Sequence, residues 1–228
     1  MRLLIAIDGA CRRNGKPDCT ASGGVFIQGI NDDGQAVGYA TKEVHEYGST
    51  NQRGELLALL KALQVVYRRQ CEAQIVTDSE YLFNAMTKQW YKSWQSGGWL
   101  TRDGNEVKNR DIWVQIAEYA NTLERDDIEV IFYHIKGHCI PFGAVTARNA
   151  LVDDPTGEKL YKLVRDKFDT VAANKRDALD YASTLSMKNN GFQLDLSGPT
   201  LKNWVTVNVV ADAIATKAVD EADSRRET

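Results

Sequence analysis

No stretch of 18 consecutive apolar residues occurs in this 228-residue chain, which excludes an ordinary membrane-spanning helix. No signal-peptide pattern opens it, so a cytoplasmic location with no membrane partner is expected. No Cys-x-x-Cys pair occurs either. Cys11, Cys19, Cys71 and Cys139 fall at unrelated spacings and read as reduced thiols, not as a disulfide framework. The chain also lacks an excess of positive charge. Its formal net charge is −3, so no global basic field announces a nucleic-acid partner, although a local patch is compatible with that balance. Internal repeats and low-complexity segments are missing as well, which sets aside solenoids and compositional linkers. The length suits one good core, with room for an appended subdomain.

What the chain does have is four acidic residues in contexts that should be apolar or tightly structured. Asp8 ends the run Leu3-Leu4-Ile5-Ala6-Ile7, and Asp78 ends Ile75-Val76-Thr77. Glu55 lies four residues before Leu59, on the inward side of a helical stripe formed by Leu56, Leu59, Leu60, Leu63 and Val66. Asp212 lies in Asn208-x-x-x-Asp212-Ala213-Ile214-Ala215, again a helical context. Carboxylates kept in such places bind metal or move protons more often than elsewhere. Four that converge would make a hard-oxygen site suited to Mg²⁺.

The order of elements predicts an α/β fold. Arg2 to Asp8 reads as a buried strand, since its apolar run is continuous. Ser22 to Ile30 and Gln35 to Val44 read as two more strands, joined by a turn at Asp33-Gly34. Asn51 is placed as the cap of the following helix. Ala73 to Thr77 is a strand, and a helix begins near Ser79. An aromatic stretch from Gln89 to Trp99 leads to a helix over Asn109 to Leu123. A strand over Glu129 to Ile135 runs into Lys136-Gly137-His138. From about 139 to 203 the texture changes, and a long helical pattern from Leu160 to Leu185 reads as an inserted segment. A final helix is expected over Thr206 to Ala222. The sum is one domain over 1–228, a mixed five-stranded sheet flanked by helices, with Asp8 and Asp78 at strand ends where open α/β sheets place their sites.

Ile7-Asp8-Gly9-Ala10-Cys11, Thr50-Asn51-Gln52-Arg53-Gly54-Glu55, Val76-Thr77-Asp78-Ser79 and Lys136-Gly137-His138 together resemble ribonuclease H of type 1. The segment from Gln89-Trp90 through Trp94 and Trp99 to Lys108-Asn109-x-Asp111-x-Trp113 looks like that family's substrate-binding protrusion. An insertion before the last helix is similar to phage-type members. The resemblance implies endonucleolytic cleavage of the RNA strand of RNA–DNA hybrids. It implies two Mg²⁺ ions, replaceable by Mn²⁺, which at about 3.5–4 Å separation can activate water and stabilise the leaving oxygen. Carried over by position, Asp8, Glu55, Asp78 and Asp212 are the expected ligands. His138 is the expected proton-transfer or product-release histidine. Asn14, Asn51 and Gln52 are expected to touch the hybrid near the scissile strand, Thr50 and Asn109 to hold a DNA phosphate, and Trp90, Trp94 and Lys108 to face substrate. The acting species is expected to be a monomer.

Two departures from the family pattern stand out. The fourth carboxylate usually follows the Lys-Gly-His loop after about ten residues, and Asn149-x-x-x-Asp153 mimics that spacing. Pro155 and Gly157 follow it at once and oppose a continuing helix, so Asp212 is the preferred ligand. The protrusion is also weakly basic, and Arg12 and Arg13 of the first loop are expected to supplement it. Two other functions fit the same fold: a catalytically silent hybrid-binding module, and a DNA-acting nuclease. The first would have lost a ligand, and the second has less need of Asn14, Asn51 and Gln52 to read 2′-hydroxyls.

Overall fold

The computed structural model describes residues 1–14, 16, 18–135, 137–138, 142–172 and 199–226. Five strands form one sheet in the order β3-β2-β1-β4-β5. β1 (Arg2–Arg12), β2 (Thr20–Ile30) and β3 (Ala36–Tyr47) make an antiparallel meander. β4 (Ala73–Thr77) pairs parallel with β1, and β5 (Val130–His134) parallel with β4. The continuous apolar run of β1 follows from burial on both faces. Leu3, Ile5 and Ile7 enter one core, while Leu4 and Ala6 enter the other.

The first core lies under α1 (Asn51–Arg69), α2 (Glu80–Thr87), α3 (Trp90–Ser96) and α4 (Arg110–Arg125). The second lies under α5 (Ala144–Asp153), α6 (Glu158–Ala172) and α7 (Pro199–Arg226). Aromatic contacts fix this second layer to the sheet. Tyr161 of α6 stacks on Phe26 of β2 at 5.9 Å, and Trp204 of α7 stacks on Tyr133 of β5 at 4.2 Å. Asn203 donates to Gln28 at 3.0 Å and accepts from the Tyr161 hydroxyl at 2.6 Å, which satisfies polar groups held at the helix–sheet junction.

Several boundaries differ from the sequence expectation, each for a nameable reason. The cap of α1 is Thr50, not Asn51; its side chain accepts from the Arg53 amide. β1 runs on to Arg12 because the ladder with β2 continues to the pair Arg12 and Thr20. The final helix starts at Pro199, so 199–203 belong to it and not to the insertion; proline suits a first helical position, where no N–H is needed. α5 was not expected at all. The expected pattern from Leu179 to Leu185 lies outside the described residues. Cys11 and Cys19, read as separate thiols, are joined in a disulfide across the base of the β1–β2 loop, Cys19 lying two residues before Ala21, the strand partner of Cys11. Cys71 is a free, half-buried thiol. Among the described residues no helix is long and apolar enough to cross a membrane.

Candidate active site

Backbone approach, more than any long side chain, gathers the acidic residues. Asp8 sits just past the last rung that β1 shares with β4, the pair Ala6 and Val76. Asp78 is the first residue after β4. α1 presses against β1 at Gly9, where a Cβ would lie 2.7 Å from the Cγ and amide nitrogen of Glu55; only glycine lets Glu55 come so near Asp8. On the other face, Gly24 is the cross-strand partner of Asp8. A Cβ on Gly24 would lie 2.5 Å from the Ala215 nitrogen and nearer still to the Ala211 carbonyl, so α7 rests on bare backbone there. Asp212 follows Ala211 and is carried to the same edge of the sheet.

The electrostatics register the crowding. Burial pushes the Asp8 carboxyl well above the ordinary range, and the charges of Asp78, Asp212 and Glu55 push it further, against one hydrogen bond from the Gly9 amide at 2.6 Å. Burial likewise raises Asp78; Asp212 adds to this, while His138 and His134 act against it. Asp212 is raised by burial and lowered by His138. Glu55 is raised by burial and by Asp78, and it accepts from the Ser79 hydroxyl at 2.6 Å and from the Asn51 side-chain Nδ2 at 3.1 Å. Asp153 is elsewhere: it is exposed at the end of α5 and pairs with Lys159 at 2.5 Å. Its neighbour Asp154 organises the start of α6, accepting from the amides of Thr156 and Lys159.

An all-oxygen donor set in a half-buried, mutually repelling cluster is the chemistry that a hard divalent cation neutralises. As the side chains stand, no three acidic, histidine or cysteine groups among the described residues meet at metal-ligand spacing, so ligation requires them to turn toward one another. His138 stands on an exposed loop with φ 55°, close enough to lower both Asp78 and Asp212.

A polar row lies beside the carboxylates. Asn14 accepts from the Asn51 amide at 3.3 Å, and the Gln52 carbonyl accepts from Asn109 at 3.4 Å. Arg53, whose backbone amide Thr50 caps, bonds Glu46 of β3 at 2.6 Å and Asp111 of α4 at 2.7 Å and so ties β3, α1 and α4 together. Both carboxyls are held below their ordinary values, chiefly by that guanidinium. Lys108 and Asn109 line an open hollow of about 590 Å³.

Trp99 and Trp113 are buried, as expected of structural residues. Trp90 and Trp94 are half-buried in a chain of rings with Tyr81 and Trp113, and Lys88 lies 5.8 Å over Trp90. Arg12 and Arg13 are both held in ion pairs. Arg12 pairs with Asp220 at 2.6 Å and Arg13 with Asp18 and Asp223, so both guanidinia are engaged, two of their three carboxylate partners lying on α7. Two neighbours of the cluster carried no sequence signal beyond adjacency or strand parity: Ser79, and His134, whose Nε2 lies 3.1 Å from the Asp78 carbonyl.

An α/β sheet with carboxylates gathered beyond parallel strand ends defines a broad class of hydrolytic and transfer sites. The RNase H family model matches residues 1–160, well over half of the chain. Ribonuclease H of Prosthecochloris aestuarii is 32% identical over 139 residues, covering 60% of this chain and 84% of that protein. Ribonuclease H of Chlorobaculum parvum is 34% identical over 138 residues, with 60% and 83% covered. Among solved structures, LC9-RNase H1, a type 1 RNase H with the type 2 active-site motif, superposes with a TM-score of 0.51 at 22% identity. That match spans 60% of this chain and 64% of that one, just under two thirds, and speaks to the fold alone. The chain belongs to the ribonuclease H family. The family match ends within α6, so α7 and Asp212 lie outside it.

Proposed function

We propose that this chain is an endonuclease that hydrolyses the RNA strand of RNA–DNA hybrids with divalent metal. The observation that carries the reading is the close backbone approach of α1 at Gly9 and of α7 at Gly24, the strand partner of Asp8, which brings Glu55 and Asp212 to the edge that holds Asp8 and Asp78, in a chain of the ribonuclease H family. In this reading those four residues hold two Mg²⁺ ions, for which Mn²⁺ can substitute. The ions, when bound, supply an activated water and charge stabilisation at the scissile phosphate.

The chain's own residues do the rest. Burial keeps the carboxylates poised to lose protons to a cation, since each is harder to ionise than in water. Ser79 and Asn51 fix both oxygens of Glu55. His138, exposed on its loop, exchanges a proton with the reacting or leaving group and need not be a ligand. Asn14, Asn51 and Gln52 read the 2′-hydroxyls that separate RNA from DNA. Thr50 and Asn109 hold a phosphate of the DNA strand, Asn109 from the hollow it lines with Lys108, and Trp90 and Trp94 flank the duplex from the α3 side. The test is cleavage of labelled RNA–DNA hybrid, double-stranded RNA and double-stranded DNA, in Mg²⁺ and in chelator. Cleavage confined to the hybrid and to metal supports the reading. Equal cutting of double-stranded DNA, or full activity in chelator, rejects it.

A further inference from the structure

A groove of about 170 Å³ runs between α5 and α7 and shares Asp212 with the acidic cluster. Its walls include Phe142, Ala147, Arg148, Val209 and Lys217. Arg148 is exposed and makes no ion pair or hydrogen bond among the described residues. Apart from Asp212, the charges that line the groove with it are paired. Lys217 pairs with Glu221 at 3.0 Å, and Asp220 is taken up by Arg12. Lys167 of α6 lies 5.2 Å over the Phe142 ring and adds a second positive charge to the mouth of the groove. A guanidinium left without a carboxylate beside an acidic cluster is arranged for an anion that the cluster cannot itself supply. Arginine presents a planar fork suited to phosphate oxygens.

We propose that this groove is a phosphate subsite for the strand being cleaved, with Arg148 in direct contact and Lys167 adding field. The inference rests on the functional reading above. Its geometric support is continuity. Thr50 and Asn109 lie on the α1–α4 side of the sheet, while the groove opens on the α7 side. A duplex spanning the acidic edge with one strand at Thr50 and Asn109 brings its other strand over Asp212 and onto α5. Helix α5 thus supplies a cationic contact on the cleaved-strand side, where Arg12 and Arg13 are already engaged.

The test is binding of a short RNA–DNA hybrid in chelator, across a fourfold range of salt, for wild type, Arg148→Ala and Arg148→Lys. Each lost phosphate contact removes about 0.9 from the slope of log affinity against log salt. Arg148→Ala should therefore make binding about threefold less sensitive over that range. Arg148→Lys should retain most of the slope. In Mg²⁺, Arg148→Ala should raise KM and leave kcat near wild type. Replacing single phosphates by neutral linkages locates the contact: one beside the cleavage site in the RNA strand should cost wild type about 0.9 of its salt slope and cost Arg148→Ala nothing more. An unchanged slope in Arg148→Ala, or a loss that maps to the DNA strand, overturns the inference. If wild type fails to cut hybrid in Mg²⁺, the functional reading falls separately, and the slopes measured in chelator still decide whether the groove holds nucleic acid.

Discussion

Replacing Gly24 with alanine perturbs the acidic cluster without touching any of its side chains. Gly24 faces Asp8 across the β1–β2 ladder on one side and supports the backbone of α7 at Ala211 and Ala215. The added methyl would sit 2.5 Å from the Ala215 nitrogen, against the 3.4 Å of ordinary contact, so α7 must lift by about 1 Å. Overpacking of this kind costs roughly 1–3 kcal/mol, which leaves a domain of ordinary stability folded. Asp212 moves with the helix, and a misplacement of about 1 Å in a reacting constellation can cost roughly 10²-fold in rate. Gly38→Ala is the matched control, since nothing lies within 4 Å of its would-be Cβ. Urea denaturation and kcat on hybrid, measured for both variants, give the answer. Gly24→Ala should lose stability and disproportionately more turnover, and Gly38→Ala should lose neither. If the two variants behave alike, the close contact does not set the position of Asp212.

Asp8→Asn, Glu55→Gln and Asp78→Asn should each abolish nearly all cleavage while the metal-free protein stays as stable or becomes more so, because one charge leaves a crowded site; denaturant midpoints and turnover check both halves. The pH dependence has a definite sign. These carboxyls are raised in the folded state, so their contribution is fully present below the unfolded value of about 4 and is lost as pH rises through the raised values. In chelator, wild-type stability should therefore carry a falling component from about pH 4 upward, and Asp8→Asn should flatten it; an equally steep profile in the variant removes Asp8 as its source. His138→Ala should slow kcat by roughly 10²–10⁴-fold with little change in hybrid binding; weaker binding at unchanged kcat assigns it another role.

Much of the sheet was legible in the sequence because each strand is buried on a predictable side. The unbroken run Leu3 to Ile7 has no solvent face, and the stripe on α1 repeats at helical spacing. What escaped depends on contacts far apart in the chain. Arg12 meets Asp220 across 208 residues, and no local pattern reveals that its charge is already engaged. The Cys11–Cys19 link depends on ladder register, which spacing alone does not give. α5 escaped because its stripe is weak: Val145 and Val152 are 75% and 61% exposed, so apolar residues fall on both faces. Asp212 was legible as a helical residue four from Asn208, but the bare backbone at Gly24 that brings its helix to Asp8 was not.

The assignment of the fourth carboxylate to α7 is the step on which the whole site depends, and two point variants test it directly. Asp212→Asn and Asp153→Asn should be assayed side by side on labelled RNA–DNA hybrid in Mg²⁺. Asp212 lies within electrostatic reach of Asp8 and Asp78, whereas Asp153 is exposed and paired with Lys159. Asp212→Asn should be inactive, and Asp153→Asn should cleave like wild type. An active Asp212→Asn beside an inactive Asp153→Asn would contradict the assignment and leave α7 a structural helix.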